Sequence, residues 1–186
     1  KWFFHYTPKD SVTQRDSSLL RAPTFDSFVF DPPSAPLDSN LTVGGVPSAR
    51  SLIRVNIPPF LHDSIDVVRA TVVLVPVAPF PGVASDSFRI LVRAVLADLG
   101  AKSPLALDPS GVGVVHAGST DTLRLDITDL VRLWTLADTA TATAFFLGQL
   151  PEASSFTEIR FYSSRAPAFR PTLHVTYIKR FPFGQP

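Results

Sequence analysis

The sequence contains no cysteine and no methionine, and only two of its 16 acidic residues are glutamate, Glu152 and Glu158. The missing cysteine excludes disulfides, thiolate metal sites and cysteine nucleophiles. The scarcity of glutamate leaves little material for a pair of glycosidase carboxylates. Glu152 and Glu158 fall in and just after a polar loop, and Asp126 with Asp129 reads better as strand-to-helix capping. No apolar run approaches the roughly 20 residues of a membrane helix. Charge excess is lacking too. With 17 basic and 16 acidic side chains the net charge is +1, so no long-range field draws in nucleic acid. Because the chain starts at Lys1 without an initiator methionine, it is expected to be a processed or partial product. Loss of an export signal is one cause of such a start, and the corresponding location is extracytoplasmic, in the periplasm or at the cell surface.

What the chain has in quantity is proline, 18 residues, and phenylalanine, 15 residues, in a length of 186. That mixture suits short strands divided by rigid loops better than long helices. The expected organisation is one β-domain over residues 25–178, preceded by an extension over 1–24 without a stable period and followed by a tail over 179–186. "FDSFVF" from Phe25 reads as a strand, and "DPPSAPLDSN" as a loop in which Pro32 and Pro33 forbid regular pairing. "LTVGG" is a short strand ending in a glycine turn. In "SLIRVNI" Ser51, Ile53, Val55 and Ile57 share one face, the period-2 mark of a half-buried strand. "RATVVLVPV" is apolar on both faces and is expected to be central and covered twice, up to Pro76. "DSFRILVRAVL" sets Phe88, Ile90, Val92, Ala94 and Leu96 against Arg89, Leu91, Arg93 and Val95. "DTLRLDI" turns Leu123, Leu125 and Ile127 inward. "TATAFFLGQL", "EIRFYSS" and "TLHVTYI" follow as strands, whereas "GVGVVHAG" reads as a turn-rich connection.

Only "TDLVRLW" reads as helix. Thr128 or Asp129 can cap its first turn, and Leu130 and Trp134 fall four apart on one face. Trp134 is expected to anchor it over the end of a sheet. The fold class is therefore all-β: an antiparallel β-sandwich of jelly-roll or Greek-key type with one short helix.

Several separated stretches resemble one family. "LTVGGVPSARSLIRVNIPPFLHDSIDVVRATVVLVPV", "LRLDITDLVRLW" and "FYSSRAPAFRPTLHVTYI" are similar, in that order, to the opening strands, the strand-to-helix step and the closing turn and strand of DNRLRE-type β-sandwich domains. These are carbohydrate-binding-module-like domains of bacterial extracellular proteins. The resemblance covers roughly residues 25–178. It implies a non-catalytic module on an exported protein, and some relatives of that kind bind carbohydrate.

The residues themselves offer little catalytic chemistry. His5, His62, His116 and His174 are too scattered for a metal pair, and no G-x-S-x-G elbow or P-loop occurs. No Asp-x-Asp-x-Asp calcium loop is present, although Asp38 or Asp121 could join carbonyls around an ion. No enzyme activity, cofactor or metal is expected.

Two sets of residues stand out as candidate binding groups. Trp2, Phe3, Phe4 and Tyr6 at one end, with Phe181 and Phe183 at the other, are large aromatics that need something to pack on. They can fold back onto their own domain, dock on other protein subunits such as those of a membrane complex, or rest at a membrane interface beside Lys1. Arg54, Arg89, Arg93, Arg124 and Arg160, with Tyr162 or Trp134, form a possible grip for an acidic glycan. The simpler reading of those arginines is that they keep strand faces wet and pair with Asp126 or Glu158. The leading expectation is an exported, non-catalytic accessory subunit docked through its aromatic ends. The alternative is a carbohydrate-binding module for an acidic polysaccharide.

Overall fold

The computed structural model describes residues 37–62, 65–136 and 142–179 in full, and residues 2–6 and 17–21 as backbone. The chain divides into two units, Lys1–Ser34 and Ala35–Pro186. In the first, β1 (Trp2–Tyr6) and β2 (Ser17–Arg21) form an antiparallel hairpin, with Trp2 opposite Arg21 and Phe4 opposite Leu19. Sequence reading expects an irregular extension here. The run of consecutive aromatics in "WFFHY" hides any alternation, yet aromatic residues favour strand backbone. The strand expected over Phe25–Phe30, and the tail residues Phe181 and Phe183, lie outside the described residues.

The second unit is an antiparallel β-sandwich. Its strands are β3 (Asn40–Gly44), β4 (Ser51–Arg54), β5 (Ile65–Leu74), β6 (Ser87–Ala94), β7 (Gly111–His116), β8 (Leu123–Asp126), β9 (Ala144–Leu150), β10 (Glu158–Tyr162) and β11 (Thr172–Lys179). The ladders run β4–β9–β6–β7, β11–β5–β8 and β10–β3, every pair antiparallel. Past Leu74 the β5 chain changes neighbours: Tyr162 donates to the Val75 carbonyl and Val77 to the Arg160 carbonyl, flanking a Pro76–Phe161 bridge. Pro76 has no N–H to give, so the switch falls where the ladder would have a gap anyway. Among the described residues of this unit β6–β7 is the one ladder between consecutive strands, and other consecutive strands change ladder, as in a Greek-key sandwich.

The core lies between the layers. Val67, Ala70, Val72 and Leu74 of β5 share a cluster with Phe88, Ile90 and Val92 of β6 and with Phe145 and Leu147 of β9. Burying each such side chain stabilises by about 1.5–3 kcal/mol. Trp134 of α1 (Thr128–Leu136) closes one end, 2% exposed and stacked on Phe145 at 6.5 Å. The anchor role read from sequence is therefore seen.

Three details depart from expectation. β5 is central, but its second face is only half covered, and Val68 is 48% exposed. β6 instead has part of its outer face buried, because Leu91 and Val95 join Ala144 and Phe146 in a second apolar cluster packed with Leu105, while Arg89 stays exposed. The "GVGVVHAG" segment is not a connection but β7, paired to β6 over Gly111–His116. Its glycines serve close layer approach: a Cβ on Gly113 would meet Leu123 at 2.7 Å and Leu125 at 2.8 Å, and one on Gly111 would run into the Asp126 carbonyl.

Candidate functional site

β4 leaves β3 through a turn closed by paired Gly44 and Ala49, and Ser51 still donates its hydroxyl to the Thr42 carbonyl at 2.9 Å. Beyond that point β3 and β4 belong to different ladders, and a cleft of about 590 Å³ opens between them. Its floor is apolar, with Leu41, Ile53, Val72 and Phe145 among its residues, and its rim carries Arg54 and Arg165. Each rim cation is neutralised. Arg54 makes two bonds to Asp98, at 2.5 and 2.9 Å, and Arg165 meets Asp38 at 2.6 Å. Donation by Arg54 and by the Gly100 amide holds the Asp98 carboxyl below its ordinary range.

The cleft brings no histidine together with a carboxylate. Among the described residues no group of three or more His, Asp or Glu is placed to hold a metal ion. His62, His116 and His174 are all exposed. What the cleft offers is a concave apolar surface with a polar edge, a binding geometry.

The six residues considered for a glycan site do not gather in one place. Arg54, Arg89 and Arg93 lie on the outward face of β4–β9–β6–β7, whereas Arg124 is on β8 of the other layer and Arg160 and Tyr162 are on β10. Arg160 pairs with Glu158 at 2.7 Å, as the simpler reading holds, and Asp126 takes Arg69 at 3.8 Å. Trp134 is buried against Phe145 and has no face to offer a sugar.

Two arrangements escape sequence reading. Phe169 holds a left-handed backbone, φ +58°, and is 63% exposed with its ring 5.4 Å from that of Tyr162. A bulky residue with positive φ is strained, and such strain persists only where the surroundings enforce it. The second arrangement is a stack on the outer sheet face. The Phe146 ring lies over Gly148, where a Cβ would meet it at 2.7 Å, and the Arg50 guanidinium sits 5.4 Å from that ring. Arg50 in turn holds Glu152 through two bonds, one of them 2.6 Å, and depresses its carboxyl. Phe169 between two prolines and Arg50 before a strand carry no periodic signal, so only the folded loops reveal them. No protein-family model and no curated protein matches this sequence.

Proposed function

We propose that the protein is a non-catalytic interaction module, an exported accessory subunit docked on a larger cell-envelope or membrane assembly through its aromatic-rich terminal segments. The observation that carries this reading is the β1–β2 hairpin. A two-stranded hairpin alone is marginal in water, and this one is built from "WFFHY" against "SSLLR". Aromatic side chains on such an element gain most by burial against a partner, where they act as anchors. Among the described residues no helix is long and apolar enough to cross a membrane, so in this reading attachment runs through protein contact. The test is affinity capture from native membranes, comparing the full chain with one lacking residues 1–18 and 181–186. A docking subunit loses its partners on trimming; recovery of the same partners would end this reading.

A second reading, a carbohydrate-binding module for an acidic polysaccharide, draws support from the Tyr162–Phe169 pair. Phe169 presents an open ring, and Arg160, two residues before Tyr162 on the same strand, would exchange Glu158 for a glycan carboxylate. Ring faces of this kind suit the apolar side of a sugar, and a guanidinium suits its carboxylate. The resemblance to DNRLRE-type domains points the same way. Glycan binding of this kind would survive removal of both terminal segments and be lost on Phe169→Ala.

A further inference from the structure

The outward face of β4–β9–β6–β7 combines charge and apolar surface. Along β6 its outward positions are Arg89, Leu91, Arg93 and Val95, and β7 sets Val114 opposite Arg89 and Val112 opposite Leu91. These two valines are 51% and 41% exposed. Four arginines stand on or beside this face, of which Arg50 is held by Glu152 and Arg54 by Asp98. Arg89 and Arg93 have no carboxylate at ion-pair distance among the described residues. The Nε of Arg93 is sealed from solvent without a hydrogen-bond partner. Beyond ion-pair distance, its charge still helps Arg50 to hold the Glu152 carboxyl down, so one carboxylate answers two cations and the face keeps a positive excess. On the other layer Arg69 is answered by Asp126, while Arg124 stands singly among the described residues, without a second such arginine along its strand.

The face also has a built end. Beyond Arg89 a depression of about 450 Å³ is lined by Ser85, Ser87, Ser154 and Ser155. Asp86 lies on its wall with Oδ2 already engaged by the Val83 amide at 3.0 Å. Four residues along a strand separate Arg89 from Arg93, about 13 Å at roughly 3.3 Å per residue. An extended chain with acidic side chains at that spacing can meet both cations. Between them Val112 and Val114 offer aliphatic surface, not an aromatic plate. The one large ring on this face, Phe146, is 8% exposed and already covered by Arg50.

From this charge complementarity we infer that the outer face of β4–β9–β6–β7 docks an extended acidic polypeptide segment of a partner protein. Its carboxylates meet Arg89 and Arg93, and aliphatic side chains between them rest on Val112 and Val114. The inference rests on residues of the second unit alone, so it goes beyond the docking reading above and does not depend on it.

The test uses the full chain and a fluorescent synthetic peptide repeating Glu-Thr-Val-Thr, which sets Glu and Val alternately along one face of an extended chain, followed by anisotropy at low and at physiological salt. Binding is expected at low salt and weakens with added salt. The double variant Arg89→Gln with Arg93→Gln is expected to weaken it roughly tenfold, whereas Arg124→Gln on the other layer leaves it unchanged. Val112→Ser with Val114→Ser weakens it at constant charge. Absence of binding at low salt overturns the inference, as does equal weakening by Arg124→Gln. Polygalacturonate binding with the same arginine dependence, and no effect of the valine changes, would assign the face to an acidic glycan and overturn the polypeptide. Trimming residues 1–18 leaves this binding intact whether or not the hairpin reading holds.

Discussion

The Thr128 hydroxyl donates to Asp126 Oδ1 at 2.6 Å while accepting the Ala70 amide at 2.9 Å. One side chain thereby ties the end of β8, the middle of β5 and the first turn of α1. The Thr128 amide also donates to Asp126 Oδ1, at 3.0 Å, so the carboxylate caps a helical N–H that has no partner within the helix.

Thr128→Ala removes the acceptor for an amide whose residue is fully buried, and the expected loss is about 2 kcal/mol. Urea unfolding at neutral pH measures it. A loss below about 0.5 kcal/mol would mean that the linkage is ornamental.

Asp126 also gives the fold a pH dependence. Donation by the Thr128 hydroxyl first, and by its amide second, holds the carboxyl below its ordinary range. A depressed folded-state pKa adds stability above the unfolded value, about 3.9, and that stability is lost as pH falls through the folded-state pKa. Because the side chain is 60% exposed, the effect is under about 1 kcal/mol. Asp126→Asn is therefore expected to be less stable than the parent at pH 7, with the gap closing below about pH 4. A constant gap from pH 7 to acid would contradict this.

Gly113→Val pits propensity against packing. Valine suits a strand, but its side chain would have to displace Leu123 and Leu125, with contacts at 2.7 and 2.8 Å from the Cβ alone. Overpacking of this kind costs about 1–3 kcal/mol, so the variant is expected to melt lower. A higher melting temperature would show that the layers can separate freely at β7.

Trp134→Ala opens a hole where α1 meets Phe145, and a loss of about 3–5 kcal/mol is expected. Near-ultraviolet circular dichroism together with thermal melting checks it, and an unchanged melt would remove α1 from the core.

Much of the sandwich is legible in the chain because alternation is honest where one face is dry. "SLIRVNI" and "DTLRLDI" place Ile53, Val55, Leu123 and Leu125 on the core side, where they are found. Alternation misleads where burial is two-sided or where glycine supplies no side chain. β6 alternates on paper, yet Leu91 is 3% exposed, since it shares an apolar cluster with Phe146 and Leu105 while its neighbour Arg89 stays open. β7 looks like a turn because its glycines report the proximity of β8, a long-range fact. The outward arginines were foreseeable as outward. That Arg54, Arg89 and Arg93 share a sheet face while Arg124 and Arg160 stand elsewhere depends on strand order, which no local pattern carries.

In the proposed function the terminal hairpin meets another protein. Replacing Phe4 with a photocrosslinking phenylalanine analogue in the native cell, with exposed Thr176 of β11 as the comparison site, tests this directly. A discrete adduct of higher mass from position 4 and none from position 176 is the predicted result. Crosslinks from position 4 that stay within the same chain would contradict it.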